Sequence, residues 1–125
     1  MIAETMARAG EEFSIQEIAF DRYGDTAILE RAAQHGLPMI RYSQGISVMG
    51  PGCQMWQQMW VGRKFVLGDD PVMRNACSVA IPVRDSNGNI KVNKAKRNHI
   101  IDPLVAAIMA VHVWGGEQRS VYADL

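Results

Sequence analysis

A chain of 125 residues with 13 Lys and Arg against 13 Asp and Glu, 48% hydrophobic and 21% charged, suits one domain and is too short for two. Its apolar share argues against intrinsic disorder, and its formal charge of zero removes the broadly basic surface of a general nucleic-acid binder, leaving a local basic patch as the route to one. No apolar run approaches the roughly 20 residues of a membrane span, the acidic opening MIAETMARAGEEF is no secretory signal, and Cys53 and Cys77 have neither disulfide-scaffold nor zinc spacing, so a reducing cytoplasm is expected.

In chain order, residues 3–9 read as a short helix ended by Gly10. Ile15 to Phe20 reads as a strand whose IAF run suits burial on both faces, ended by Asp21 with Tyr23-Gly24 as the turn. Asp25 is the expected N-cap of a helix carrying Ile28, Leu29, Ala32 and Ala33, with Gly36 at its C-terminal end. Met39 to Tyr42 is a second strand, followed by the loop Ser43-Gln44-Gly45. Pro51 is expected in the first turn of a helix whose Met55, Trp56, Met59 and Trp60 form one buried face. Asp70-Pro71 opens a further helix, with Val72, Met73, Ala76, Cys77 and Ala80 on its apolar face. Ile81–Asp85 and Ile90–Asn93 flank Asn87-Gly88, a strong hairpin signal, with Pro82 placing its strand at an edge or a bend. Asp102-Pro103 opens a final helix, apolar all round from Leu104 to Val111 and therefore expected to be buried, with Gly115-Gly116 as its stop. The order β-α-β-α-α-β-β-α after the first short helix predicts an α/β fold, a sheet covered by helices.

Two carboxylates are candidates for chemistry. Asp21 ends an apolar strand, where α/β folds place ligand-binding groups; the competing reading is a turn residue. Asp102 opens the apolar helix just after the basic residues Lys91, Lys94, Lys96 and Arg97; the competing reading is a helix cap, as at Asp70. The basic residues are either a solvated hairpin arm or phosphate contacts. His35, His99 and His112 share no ligand spacing and read as structural. The sequence has no GxxxxGK[ST], GxGxxG or GxSxG, so P-loop hydrolysis, Rossmann binding and α/β-hydrolase chemistry lack support.

IAFDRYG, YSQGISVMGPG and the run from DDPVMRNACSVAIPVRD to IIDPLVAAIMAV together resemble the nuclease domain of phage terminase large subunits, over roughly residues 15 to 113. In that family an Asp-Arg-aromatic triplet ends a strand (here Asp21-Arg22-Tyr23), and a Gln-Gly loop follows (Gln44-Gly45). A Pro-Val, hairpin, Lys and Ile-Asp block then leads into an apolar helix (Pro71-Val72, Asn87-Gly88-Asn89, Lys94, Ile101-Asp102).

The resemblance implies an RNase H-like sheet flanked by helices and a metal-dependent endonuclease that cuts concatemeric double-stranded DNA during packaging. In-line phosphodiester hydrolysis places divalent cations on the attacking and leaving oxygens, and an all-carboxylate site suits Mg²⁺ or Mn²⁺. Asp21 and Asp102 would be metal ligands and catalytic residues, and Lys91, Lys94, Lys96 and Arg97 would contact DNA. Other terminase or portal components, and a second copy of the chain, are the implied protein partners.

The family's opening strand with its first metal-binding Asp, and its upstream ATPase, have no counterpart here. The sequence therefore reads as a partial nuclease domain, at the C-terminal side of the fold, and as weakly active or inactive by itself. Pro103 and Tyr23 also depart from the family's usual small residue and Trp. Glu17 lies about 13 Å along a strand from Asp21, too far to replace the missing Asp; Glu11, Glu12 and Asp85 are weaker candidates. Two other readings stand beside this one: a non-enzymatic, self-associating interaction domain, in which Asp21 and Asp102 are a turn residue and a cap, and another RNase H-like enzyme such as a junction resolvase.

Overall fold

The computed structural model describes the backbone of residues 1–21 and 26–123, and side-chain surroundings as far as Gly115. It consists of two compact units, Met1–Ser43 and Gln44–Leu125. The turn at Tyr23-Gly24 and the cap at Asp25 lie outside the described residues.

The first unit contains α1 (Ile2–Glu12), β1 (Ile18–Asp21), α2 (Thr26–Gln34) and β2 (Met39–Tyr42). Ala3 of α1 and Ala32 of α2 are both buried, and Arg31 reaches Glu4 across the two helices at 3.3 Å. Glycine at position 10 does not end α1, which continues to Glu12. A mid-helix glycine costs about 1 kcal/mol without breaking the hydrogen-bond ladder. At the end of α2, Gly36 does act as expected. It adopts φ 70°, while Leu37 N–H reaches Ala32 O and Gly36 N–H reaches Ala33 O, closing the helix with a left-handed residue. β1 and β2 then pair in parallel, from Ile18 opposite Met39 to Asp21 opposite Tyr42. β1 begins three residues later than expected, because its partner is four residues long and offers no ladder to Ile15–Glu17.

The second unit contains α3 (Ile46–Val61), α4 (Pro71–Val79), β3 (Ala80–Arg84), β4 (Ile90–Lys94) and α5 (Asp102–Ala123). Its core is Met49 and Cys53 of α3, Ala76 of α4, and Leu104, Ile108 and Met109 of α5. The fold is of the mixed α/β class, its strands forming two small sheets of two strands each among the described residues.

Four expectations are corrected in this unit. α3 begins at Ile46, so Pro51 is interior; both it and Ser47, whose carbonyl it cannot bond, are exposed residues on the helix surface. The 55–60 stripe is half-buried at best, and Trp60 is 56% exposed, leaning on Trp56 and Phe65 in an aromatic cluster. α5 is not buried all round: Asp102, Ala106, Ala110 and Trp114, four residues apart, are exposed. Nor do the glycines at 115 and 116 stop it; Gly115 is buried where the end of the Met55 side chain of α3 occupies the space beside it.

The hairpin forms where Asn87-Gly88 predicts it, with Gly88 at φ 81°. Asp85 and Asn89 form a hydrogen-bonded pair (Asp85 N–H to Asn89 O), as do Val79 and Ala95 (Ala95 N–H to Val79 O). By alternation, Pro82 and Val92 face each other as a non-hydrogen-bonded pair. The nitrogen of Pro82 thus points away from β4, where its missing hydrogen costs the ladder nothing. The outer edge of β4 is covered by α3, where the Val92 backbone hydrogen-bonds the Cys53 sulfur; burial nonetheless pushes that thiol's pKa up.

Candidate functional site

Two Asp-Pro pairs start helices in the second unit, and they behave differently. Asp70 precedes α4 with extended backbone, and its carboxylate accepts the Val72 N–H at 2.8 Å, as an N-cap does. Asp102 is itself the first residue of α5, and Ile101 supplies the first carbonyl, accepting from Val105 N–H at 3.0 Å. The Asp102 carboxylate accepts no hydrogen bond among the described residues. A helix cap is therefore not its role. It is left as an exposed oxygen pair at a positive helix end.

That carboxylate lines a cavity of about 250 Å³ together with Gln44, Lys91, Asn93, Lys94 and His99. β4 supplies Lys91 and Lys94, the turn after it supplies His99, and the segment entering α3 supplies Gln44. Neither lysine has an ion-pair partner among the described residues. The remaining two expected DNA contacts, Lys96 and Arg97, are exposed and lie outside the lining. His99, read from sequence as structural, is half-buried in this wall. Its Nδ1 accepts the Lys96 N–H at 3.2 Å, which leaves Nε2 to carry the proton of the neutral ring. Its place three residues before Asp102 was the available signal.

Asp21 is half-buried at the end of β1, opposite Tyr42, in the first unit. Among the weaker carboxylates, Asp85 is committed to its own turn. Its Oδ1 accepts from the Asn87 and Asn89 N–H groups at 3.0 and 2.8 Å, and its Oδ2 from the Asn89 side-chain amide at 3.0 Å. The Asn89 side chain, foremost among these donors, holds the Asp85 pKa below the ordinary carboxylate value.

No three His, Cys, Asp or Glu side chains gather into a metal cluster among the described residues. The cavity's oxygen donors nonetheless fit a hard cation, since Mg²⁺ is commonly bound through one or two carboxylates, waters and substrate phosphates rather than a closed protein cage. Lys91 and Lys94 supply the complementary charge for those phosphates.

Comparison with known proteins gives the family and the fold. The family described as "Terminase large subunit, endonuclease domain" matches residues 2–117, extending the likeness through α1. The large terminase subunit of Enterobacteria phage HK97 is 31% identical over 108 residues, covering 85% of this chain and 21% of that protein. The crystal structure of the HK97 large terminase superposes with a TM-score of 0.80 at 28% identity, over 90% of this chain and 24% of that one. The chain thus spans about a fifth to a quarter of the relatives it matches. No helix among the described residues is long and apolar enough to cross a membrane.

Proposed function

We propose that this chain, which belongs to the terminase large-subunit endonuclease-domain family, forms part of an RNase H-like nuclease that cuts concatemeric double-stranded DNA as a phage genome is packaged. The observation that carries this reading is the Asp102 carboxylate sharing one cavity with two lysines, none of the three paired among the described residues. Lys91 and Lys94 hold the phosphodiester by charge, with Lys96 and Arg97 as outlying contacts along the strand. Asp102 and Asp21 provide hard oxygen ligands for Mg²⁺ or Mn²⁺. Such cations, when bound, stabilise the attacking and leaving oxygens of an in-line displacement. In the host cytoplasm the DNA, other terminase components and the portal are the partners of this activity.

The test is plasmid cleavage in Mn²⁺. A site with only two proposed carboxylate ligands cuts slowly, and what cutting there is should be EDTA-sensitive and lost in both Asp21→Asn and Asp102→Asn. Cleavage surviving both substitutions would remove the reading.

A second reading has its own observation. Trp60, Val61 and Val66 are 56%, 75% and 95% exposed, an apolar surface that self-association would cover. Light scattering separates the two: a stable oligomer with no divalent-cation binding supports an interaction domain, and a monomer excludes it.

A further inference from the structure

Trp60, near the end of α3, is 56% exposed although it belongs to an aromatic cluster. Its ring lies 6.4 Å from that of Trp56 and 5.8 Å from that of Phe65, and those two half-buried rings are 4.6 Å apart. The inner pair thus backs the outer ring, which is held in place while more than half of its surface stays open to solvent. The contact between Trp60 and Phe65 closes a short loop with Arg63 and Lys64 at its tip. Two backbone bonds hold that tip: Arg63 N–H to Trp60 O at 3.1 Å and Lys64 N–H to Met59 O at 2.9 Å.

Both cations are exposed, and neither has an ion-pair partner among the described residues. No Asp or Glu occurs between Glu30 and Asp69, and the two carboxylates that come next are committed: Asp69 pairs with Arg74, and Asp70 caps α4. Arg63 also holds φ 53°, a backbone angle that glycine adopts at less cost; strain of that kind collects at functional positions. The dipole of α3 favours cations at its C-terminal end, but it asks for neither an open tryptophan nor an arginine where glycine fits better. We infer that Trp60, Arg63 and Lys64 form a binding site for single-stranded nucleic acid, one base stacking on the open indole and the neighbouring phosphates meeting the two cations. Single strands are bound by aromatic rings set beside positive charge, because their unstacked bases offer a face that a duplex hides. None of the three residues lines the cavity at Asp102, so the inference does not rest on the nuclease reading.

The experiment titrates the full chain into a labelled thymidine oligonucleotide about twelve nucleotides long, at low salt in EDTA, and follows fluorescence anisotropy. Thermal unfolding and sedimentation of each variant run alongside. Trp60→Ala is expected to weaken binding about tenfold, and Trp60→Phe, which keeps a ring, about threefold. Arg63→Gly and Lys64→Ala should each lower the slope of log affinity against log salt by about 0.7, and Arg63→Gly should do so without lowering the melting temperature. If the cluster serves packing alone, Trp60→Ala lowers the melting temperature and binds as the parent does, which overturns the proposal. A parent chain that does not bind the oligonucleotide overturns it too; dimerisation lost in Trp60→Ala would then assign the face to a second copy. Should Trp60→Ala fail to fold, the cation variants decide: an unchanged salt slope in both rejects the site.

Discussion

Met55 of α3 fills the space that a side chain at Gly115 of α5 would need: a Cβ there would collide with its sulfur and terminal methyl. These atoms are the far end of a flexible chain, so the cost depends on how much is added. Gly115→Ala should be nearly neutral, with a helix-propensity gain of about 1 kcal/mol offsetting the displaced thioether. Gly115→Leu cannot be absorbed in the same way and should destabilise by about 1–3 kcal/mol. Urea unfolding midpoints of the two variants check the pair.

The contrast between Asp70 and Asp102 predicts opposite outcomes. Asp70→Ala removes a cap bond, which costs about 1 kcal/mol of stability and leaves Mn²⁺ binding unchanged. Asp102→Asn removes no hydrogen bond made among the described residues, so its stability cost is limited to the helix-end charge, about 0.5 kcal/mol, while Mn²⁺ binding is lost. Thermal unfolding and metal titration on both variants should show the crossed pattern.

Asp85 makes the hairpin pH-dependent. Its pKa is lowered in the folded chain, chiefly by the Asn89 side-chain amide. A depressed carboxylate contributes stability that is complete above its unfolded pKa and is lost as the pH falls through the folded value. The Asn87 and Asn89 amide protons should therefore lose exchange protection on acidification below the usual carboxylate range. Asp85→Ala should abolish that dependence and leave both amides exchanging fast at neutral pH.

At the end of α3, Lys64 N–H bonds Met59 O and Arg63 N–H bonds Trp60 O, with Arg63 in the left-handed region at φ 53°. Glycine usually occupies that position. Arg63→Gly should stabilise the second unit by about 0.5 kcal/mol, net of the extra freedom glycine gains in the unfolded chain; a lower melting temperature would contradict this.

Lys91 and Lys94 line the cavity, whereas Lys96 and Arg97 do not. Alanine at either of the first two should weaken duplex binding and reduce the slope of log affinity against log salt by about 1 each. Alanine at Lys96 or Arg97 should leave Mn²⁺-dependent cleavage in place while lowering affinity less.

The features legible in sequence are those settled within a few residues. Asp70-Pro71 starts a helix because a carboxylate two residues before Val72 N–H suffices to cap it. Gly36 ends one, and Asn87-Gly88 turns a hairpin, because their backbone angles permit what other residues resist. The ordered set of short motifs around Asp21, Gln44-Gly45 and Ile101-Asp102 likewise pointed to the family later matched over residues 2–117.

What only the tertiary structure decided are the same residue types used for non-local reasons. Gly115 reads as a stop until the Met55 side chain is seen to fill the space beside it. Pro51 reads as a helix start until α3 is seen to begin five residues before it, with the proline on its exposed face. Asp102 resembles Asp70 letter for letter, yet one carboxylate is spent on its own backbone and the other faces a cavity assembled from β4, α3 and α5. Local hydrogen bonds span a few residues and leave their mark in spacing; packing and cavities join residues dozens of positions apart, and no local pattern records them.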